Sequence, residues 1–597
     1  MALIARLSHE EPDHVIVGVC EDLSRLLLDN PDGRDTIIPN HGVLPFVDIL
    51  EEPGVSSRVL ASVLRVVNLF TRGDRRLQEA VALVGVLPAI LRLAHPRVAT
   101  VVRMHVADFV QQLCTTSTVT LQIFVAVGGV QVLVHLLQPT TSDEAVDDVW
   151  SERVDGAVLQ RMRASSAATA VRRIALAGIN SVFELHTVPK NDFCRLFVKA
   201  GILDALGVNL RAMNTTIVSA FAASVTPRGM GGGGGGRITP LGSPTGLAVS
   251  VPAGNTLVDE AFVDLHLVAD LAITFCQADH VVAMAVADHP LLSGLLRLLR
   301  PVIPSLVDHT RYASVLVKLQ RALKHLSMEP GTLHALQSAG AIATLVPFLG
   351  MASDDVVKPM HNHVMHALFN LCKVNKPRQE AACFAGIVPH LQRLIAEQGP
   401  LKQLALPLLC DMAHNVSSRR VRDVLWRHGT VEFYFQVLSE HYWQIPALNS
   451  ISMCLQHDAA RVQAVMLRPP NLLAIIALFQ TPQRSVFESL LAPLQSMLER
   501  CAPLARALAH SLFVAELVHR LTVTKAIVLT SLLKMLLCVF EASERPWEML
   551  VEHSLVAPVT RLARNDRMVV VRGIAQRLLR QFQPVVIAKV TSSLNWE

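Results

Sequence analysis

His361, His363 and His366 stand as His-x-His-x-x-His, a spacing that could offer imidazoles to a metal ion. On a helix the first pair lies about 200° apart, and only His363 and His366 share a face, so the third ligand is missing. No metal or cofactor is therefore expected. Six successive glycines at 231–236 invite a phosphate-loop reading. Such a loop needs a preceding strand and a Lys-Ser/Thr or a second glycine at fixed offset, and neither is present. Ten cysteines stand singly, without a Cys-x-x-Cys pair, and read as small buried thiols of a reducing compartment. No Gly-x-Ser-x-Gly elbow, His-Arg-Asp or Asp-Phe-Gly occurs, so neither acyl nor phosphoryl transfer is expected of this chain. No catalytic residue is assigned.

Phosphate could instead arrive as a modification. Thr226, Thr239 and Ser243 each precede a proline beside the glycine run, and form candidate phosphosites for a proline-directed kinase.

The elements that position side chains announce themselves by repetition. A Gly or small polar residue followed by an apolar run recurs as HGVLPFVDIL (41–50), VGVLPAILRL (84–93), GGVQVLVHLL (128–137), AGILDALGVNL (200–210), AGAIATLVPFL (339–349), AGIVPHLQRLI (385–395) and HGTVEFYFQVL (428–438). The period of about 42 to 46 residues is that of armadillo or HEAT repeats, longer than ankyrin or tetratricopeptide units. Between the phrases lie amphipathic stretches such as VLASVLRVVNLF (59–70) and MHNHVMHALFNLC (360–372), with apolar residues at i, i+3, i+4 and i+7. The glycine serves a sharp bend between a short first helix and the second. The fold expected is all-α, an armadillo/HEAT-type α-solenoid forming a right-handed superhelix of about eleven repeats with capping ends.

The chain divides by composition into N-terminal repeats (1–137), an acidic insertion (138–169), one repeat (170–214), a Gly-rich disordered linker (215–256) and C-terminal repeats (257–590). A net charge of +5 spread along the chain does not imply nucleic acid. Residues 114–141 carry no formal charge and would attract a hydropathy window, yet Gly128-Gly129 falls where a repeat boundary belongs; two helices and a turn are expected, not a membrane span. The N-terminus lacks the form of a secretory signal, which leaves a cytosolic or nuclear location.

What remains is surface. In armadillo units the third helix lines the concave face, and polar residues near its end can point into the groove. Asn68, Gln112, His325, Asn370 and Asp411 fit that position and are the expected partner-binding row for an extended peptide.

The run HNHVMHALFNLCKVNKPRQEAACFAGIVPHLQRLIAEQGPLKQLALPLLCDMAH (361–414), with further matches at 105–134, 191–203 and 440–458, resembles the armadillo region downstream of the kinase domain in plant MAP kinase kinase kinase epsilon and in fungal septation-initiation kinases. The resemblance implies a scaffold of cytokinesis, septation or cell-polarity signalling that binds signalling kinases or GTPase-pathway components. It places the protein in the cytoplasm, at the spindle pole, division site or cortex. It also raises the alternative that this chain is the regulatory part of a serine/threonine kinase whose catalytic domain lies elsewhere. No integral membrane segment is implied.

Overall fold

In the computed structural model the helices come in threes. The structure describes the chain apart from residues 1, 31–33, 35–36, 38–41, 116, 140–166, 186–187, 226–255, 301–309, 352–356, 416–417, 480–483, 524, 566–567 and 595–597. Among the described residues the elements are all helical, without strands. After the pair Leu44–Glu51 and Ser57–Thr71, ten triplets follow among the described residues, from Arg75 to Leu594, nearly all with two shorter helices and a longer third; in one the second helix, Ile202–Val225, outruns the third, Thr256–Gln277. Arg75–Leu83, Val86–Arg92 and Thr100–Cys114 make the first; Lys376–Phe384, Ile387–Ala396 and Lys402–Ala413 are a later one.

Local chemistry explains the boundaries. Asp74, Ser117, Asn375 and Ser418 each cap a first helix by accepting hydrogen bonds from its free N–H groups. Between first and second helix the chain turns through a left-handed residue, Gly85 at φ +93° and Gly386 at φ +87°, where a Cβ would strain the backbone. The same turn recurs at Gly128, Gly201, Gly340 and Gly429. Residues 118–136 thus fold as two short helices bent by 83°, and no single helix among the described residues is long and apolar enough to cross a membrane.

The chain packs as two compact units, Met1–Ala367 and Leu368–Glu597. In the first, the third helices Ser57–Thr71, Thr100–Cys114, Ala167–Glu184, Thr256–Gln277 and Thr310–Met328 each pack on the next; in the second, Lys402–Ala413, Gln444–His457, Arg484–Arg500, Ala526–Ala542 and Val569–Leu594 do the same. Each unit is an α-solenoid with an aliphatic core: Leu64, Val106 and Phe109 in one and Leu408, Ile451 and Leu532 in the other are sealed from solvent. A buried side chain of this size contributes about 1.5 to 3 kcal/mol, so the stack is held mainly by burial between neighbours.

Polar groups fill the gaps that helix ends leave. The fully buried Arg103 donates to the carbonyls of Ala94, His135 and Gln138, which end two successive second helices. Tyr312, His361 and Gln444, at the start of other third helices, donate to Leu298, Phe348 and Leu438 in the same manner. Gln78 and Gln379, on first helices, cap the preceding third helices at Thr71 and Cys372.

Two composition-based boundaries shift. Residues 215–225, assigned to the Gly-rich linker, continue the helix Ile202–Val225, where Thr215 and Thr216 return their hydroxyls to the carbonyls of Arg211 and Ala212. Residues 167–169, assigned to the acidic insertion, open the helix Ala167–Glu184, and the division between compact units falls within the helix Val357–Cys372. Thr226, Thr239 and Ser243 lie outside the described residues, as does nearly all of the acidic insertion.

Candidate functional site

The partner-binding row was sought at the polar ends of third helices, and the structure gives most of its members a structural task. On Ser57–Thr71, the Asn68 Nδ2 donates to the main-chain carbonyl of His105 on the next third helix across 2.9 Å. Its Oδ1 is buried without a hydrogen-bond partner. Thr71 donates to Gln112 Oε1 at 3.2 Å, so Asn68 and Gln112 sit on one seam and stitch the same two helices. Asn180 repeats the device further on, donating to Leu267 O at 3.2 Å.

Charged side chains join the row next. Asp264, sealed from solvent, takes Arg172 at 3.0 Å and Arg173 at 2.7 Å, and Glu260 adds a second carboxylate for Arg173. Lys318 pairs with Asp270 at 2.7 Å, and Ser314 meets His266 at 3.1 Å. Sequence reasoning overlooked these residues, because nothing in the local pattern distinguishes an arginine facing a carboxylate ninety residues away from a solvated one.

His325 sits half-buried on Thr310–Met328, its imidazole held below the ordinary value by burial and by Arg321 and Lys324. Facing it on Val357–Cys372 is His363, pushed down to about 4 by burial and by Lys324, Arg321, His325 and His366. His366 is lowered by burial and by Lys324. This second group was missed although its signal was present: Arg321, Lys324 and His325 at i, i+3 and i+4 share a helix face. His361, by contrast, turns inward to Phe348 O, which separates it from the other two histidines. Among the described residues no group of three or more His, Cys, Asp or Glu is placed to hold a metal.

In the second unit Asn370 is half-buried on its helix, and Asp411 lies on Lys402–Ala413. Burial raises the Asp411 carboxyl, while His414 and a hydrogen bond from the Val374 main-chain N–H oppose the rise. Asn68 and Gln112 therefore share a seam, His325 belongs to a basic cluster three third helices further along the first unit, and Asp411 braces a turn of the second.

None of this is nucleophile geometry. The cysteines are pushed upward by burial, Cys114, Cys276 and Cys372 to about 12, so their thiolates are scarce at neutral pH.

No family model matches the sequence. Individual relatives do. Cytokinesis protein sepH of Aspergillus terreus is 30% identical over 588 residues, which cover 97% of this chain and 38% of the relative. MAP3K epsilon protein kinase 1 of Brassica napus is 27% identical, covering 97% of this chain and 55% of that protein. Cell division control protein 7 of Schizosaccharomyces pombe is 22% identical, with 94% and 46% covered. This chain is a homologue of one region of the sepH and MAP3K epsilon proteins. Like that of sepH, its match runs through both compact units, so the seam of Asn68 and Gln112 and the cluster around His363 both lie within the shared region.

Proposed function

We propose that the helix triplets are armadillo units and that the chain is a non-catalytic scaffold, binding protein partners in cytokinesis, septation or cell-polarity kinase signalling. The observation that carries the reading is the match to a cytokinesis protein along 97% of the chain. It is supported by a fold in which many buried polar groups hold helices together, leaving extended polar rows as the surface with chemistry to offer. An interface of ordinary size takes about 800 Å² from each partner, a small share of such rows. The partners are signalling kinases or GTPase-pathway components, and the site of action is the cytoplasm, at the spindle pole, division site or cortex. Proximity labelling and co-purification from dividing cells test this: recovery of such components supports it, and a chain that recovers no stable protein partner and stays diffuse through division overturns it.

A second reading is favoured by the relatives' size. The chain spans 38% of sepH and 55% of MAP3K epsilon protein kinase 1, so it is also read as the regulatory part of a serine/threonine kinase. Mapping the transcript and the protein's mass in its own cells decides between the two.

A further inference from the structure

On the third helices Ala167–Glu184 and Thr310–Met328 of the first unit, three cations come with counter-charges. Arg172 and Arg173 share Asp264 and Glu260, and Lys318 holds Asp270. One turn later the pattern breaks. Arg321 is exposed, Lys324 is half-buried, and neither has a carboxylate partner among the described residues, although His325, His363 and His366 crowd the same place. Glu329, the next acid along the chain, is engaged by His280 at 3.0 Å. His363 keeps a buried Nδ1 without a hydrogen-bond partner. Like charges gathered this way repel one another, and no carboxylate among the described residues neutralises Arg321 and Lys324 as Asp264 and Asp270 neutralise Arg172, Arg173 and Lys318.

We infer that Arg321, Lys324, His325, His363 and His366 form a binding site for a phosphorylated side chain of a protein partner. A phosphate monoester brings about −1.5 to −2 charges and three strong acceptor oxygens, enough to engage a guanidinium, an ammonium and imidazole N–H groups together. A single carboxylate brings half of that. Nucleic acid fits less well, since a phosphate strand rewards cations repeated along its length, and the neighbouring Arg173 and Lys318 are already neutralised. The inference rests on the protein-binding reading above and sharpens it to a phosphorylation-dependent contact.

Linkage adds a signature. The imidazoles are held below their ordinary values when the site is empty, and a bound dianion favours their charged forms, so binding takes up protons and tightens as pH falls from 8 toward 6.5.

The test uses the full chain and a degenerate phosphoserine/phosphothreonine peptide library beside its unphosphorylated twin. Wild-type protein, the R321A/K324A variant and a control of equal charge loss elsewhere, R75A/R76A, are compared. Arg321 reaches solvent and Lys324 is half in it, so melting should be unchanged in the variant, and that is checked first. The expected result is enrichment of phosphorylated peptides by at least about tenfold, equivalent to about 1.4 kcal/mol, abolished in R321A/K324A and kept in the control. The inference is overturned if the twin library binds equally, if both variants lose binding alike, or if a single-stranded oligonucleotide displaces the selected phosphopeptide while inorganic phosphate does not. Co-purification separates this failure from that of the scaffold reading: partners retained equally by wild type and R321A/K324A leave the scaffold standing and remove the phosphate site, whereas a wild type without partners removes the scaffold.

Discussion

Asn68 reaches across a helix seam to the main-chain carbonyl of His105, 2.9 Å away. The contact joins two successive third helices at a place where their apolar faces give way to polar ones. That carbonyl already serves its own helix and uses its remaining lone pair here, so the bond ties the register of one helix to that of the next.

Asn68→Ala should destabilise the first unit by about 1 kcal/mol, the net worth of a part-buried hydrogen bond. Asn68→Asp should cost more, because a carboxylate has no proton to donate and would face the His105 carbonyl. Urea unfolding followed by circular dichroism gives both numbers. Equal stability of all three proteins would mean that the side chain waits for a ligand instead.

Asp264 predicts a larger effect. It is sealed from solvent between Arg172 and Arg173. Removing one partner of a buried ion cluster costs about 3 to 5 kcal/mol, whereas replacing the whole cluster with apolar residues is often neutral. Asp264→Ala should therefore lower the unfolding midpoint steeply. Changing all four groups, Asp264→Leu, Glu260→Met, Arg172→Met and Arg173→Met, should recover most of the loss; a fourfold variant weaker than the single one would show that the charges do more than neutralise each other.

Much of the architecture could be read from residues in sequence. The Gly-apolar phrase marks the turn before six of the ten second helices among the described residues because its cause is local: Gly386 adopts a backbone angle that side chains resist. Before the second helix Val556–Asn565, Ser554 takes the same left-handed region at φ +48° without being glycine. Functional residues were harder to read because their roles are non-local. Asn68 and Gln112 have the spacing of groove-facing groups, yet their partners are a neighbouring helix thirty-seven and forty-one residues away. Arg103 reads as a surface charge on an amphipathic helix, and only the packed structure shows three carbonyl ends converging on it. Spacing reveals which face a residue takes, not what stands opposite.

Val374 makes a stability gain available. It is a β-branched residue at φ +61°, 89% exposed, in the turn that leads to the Asn375 cap. Left-handed backbone at a non-glycine residue costs on the order of 1 to 3 kcal/mol, part of which glycine returns through its freer unfolded chain. Val374→Gly should raise stability by about 0.5 to 1 kcal/mol while preserving the Val374 N–H contact to Asp411. A lower melting temperature would show that the side chain packs more than its exposure suggests.

Leu371 probes the coupling between helix triplets. It is 1% exposed in the core. Leu371→Asp loses the burial of about 1.5 to 3 kcal/mol and leaves a carboxylate without a partner. Because each triplet is stabilised by its neighbours, the loss should spread, and hydrogen exchange should quicken in Lys376–Phe384 and Ile387–Ala396 as well as in the mutated helix. Unchanged helicity and melting would count against the stacked-triplet account.

Acid should unfold the first unit through its half-buried histidines. His105 is held down to about 4 by burial first and by Arg65 second, and His363 to the same value by burial and the surrounding cations. An unfolded histidine titrates near about 6.5, so below that pH the unfolded chain binds protons that the folded chain refuses. The stability these groups confer is complete above about pH 6.5 and is lost as pH falls toward 4. Carboxylates also titrate at the acid end, which makes the difference between proteins the informative quantity. Urea midpoints measured between pH 7.5 and 5 should fall less steeply for the double variant His105→Gln, His363→Gln than for the wild type. The Asn68 contact survives the change at 105 because it uses the main chain. Parallel slopes in the two proteins would place the acid sensitivity elsewhere.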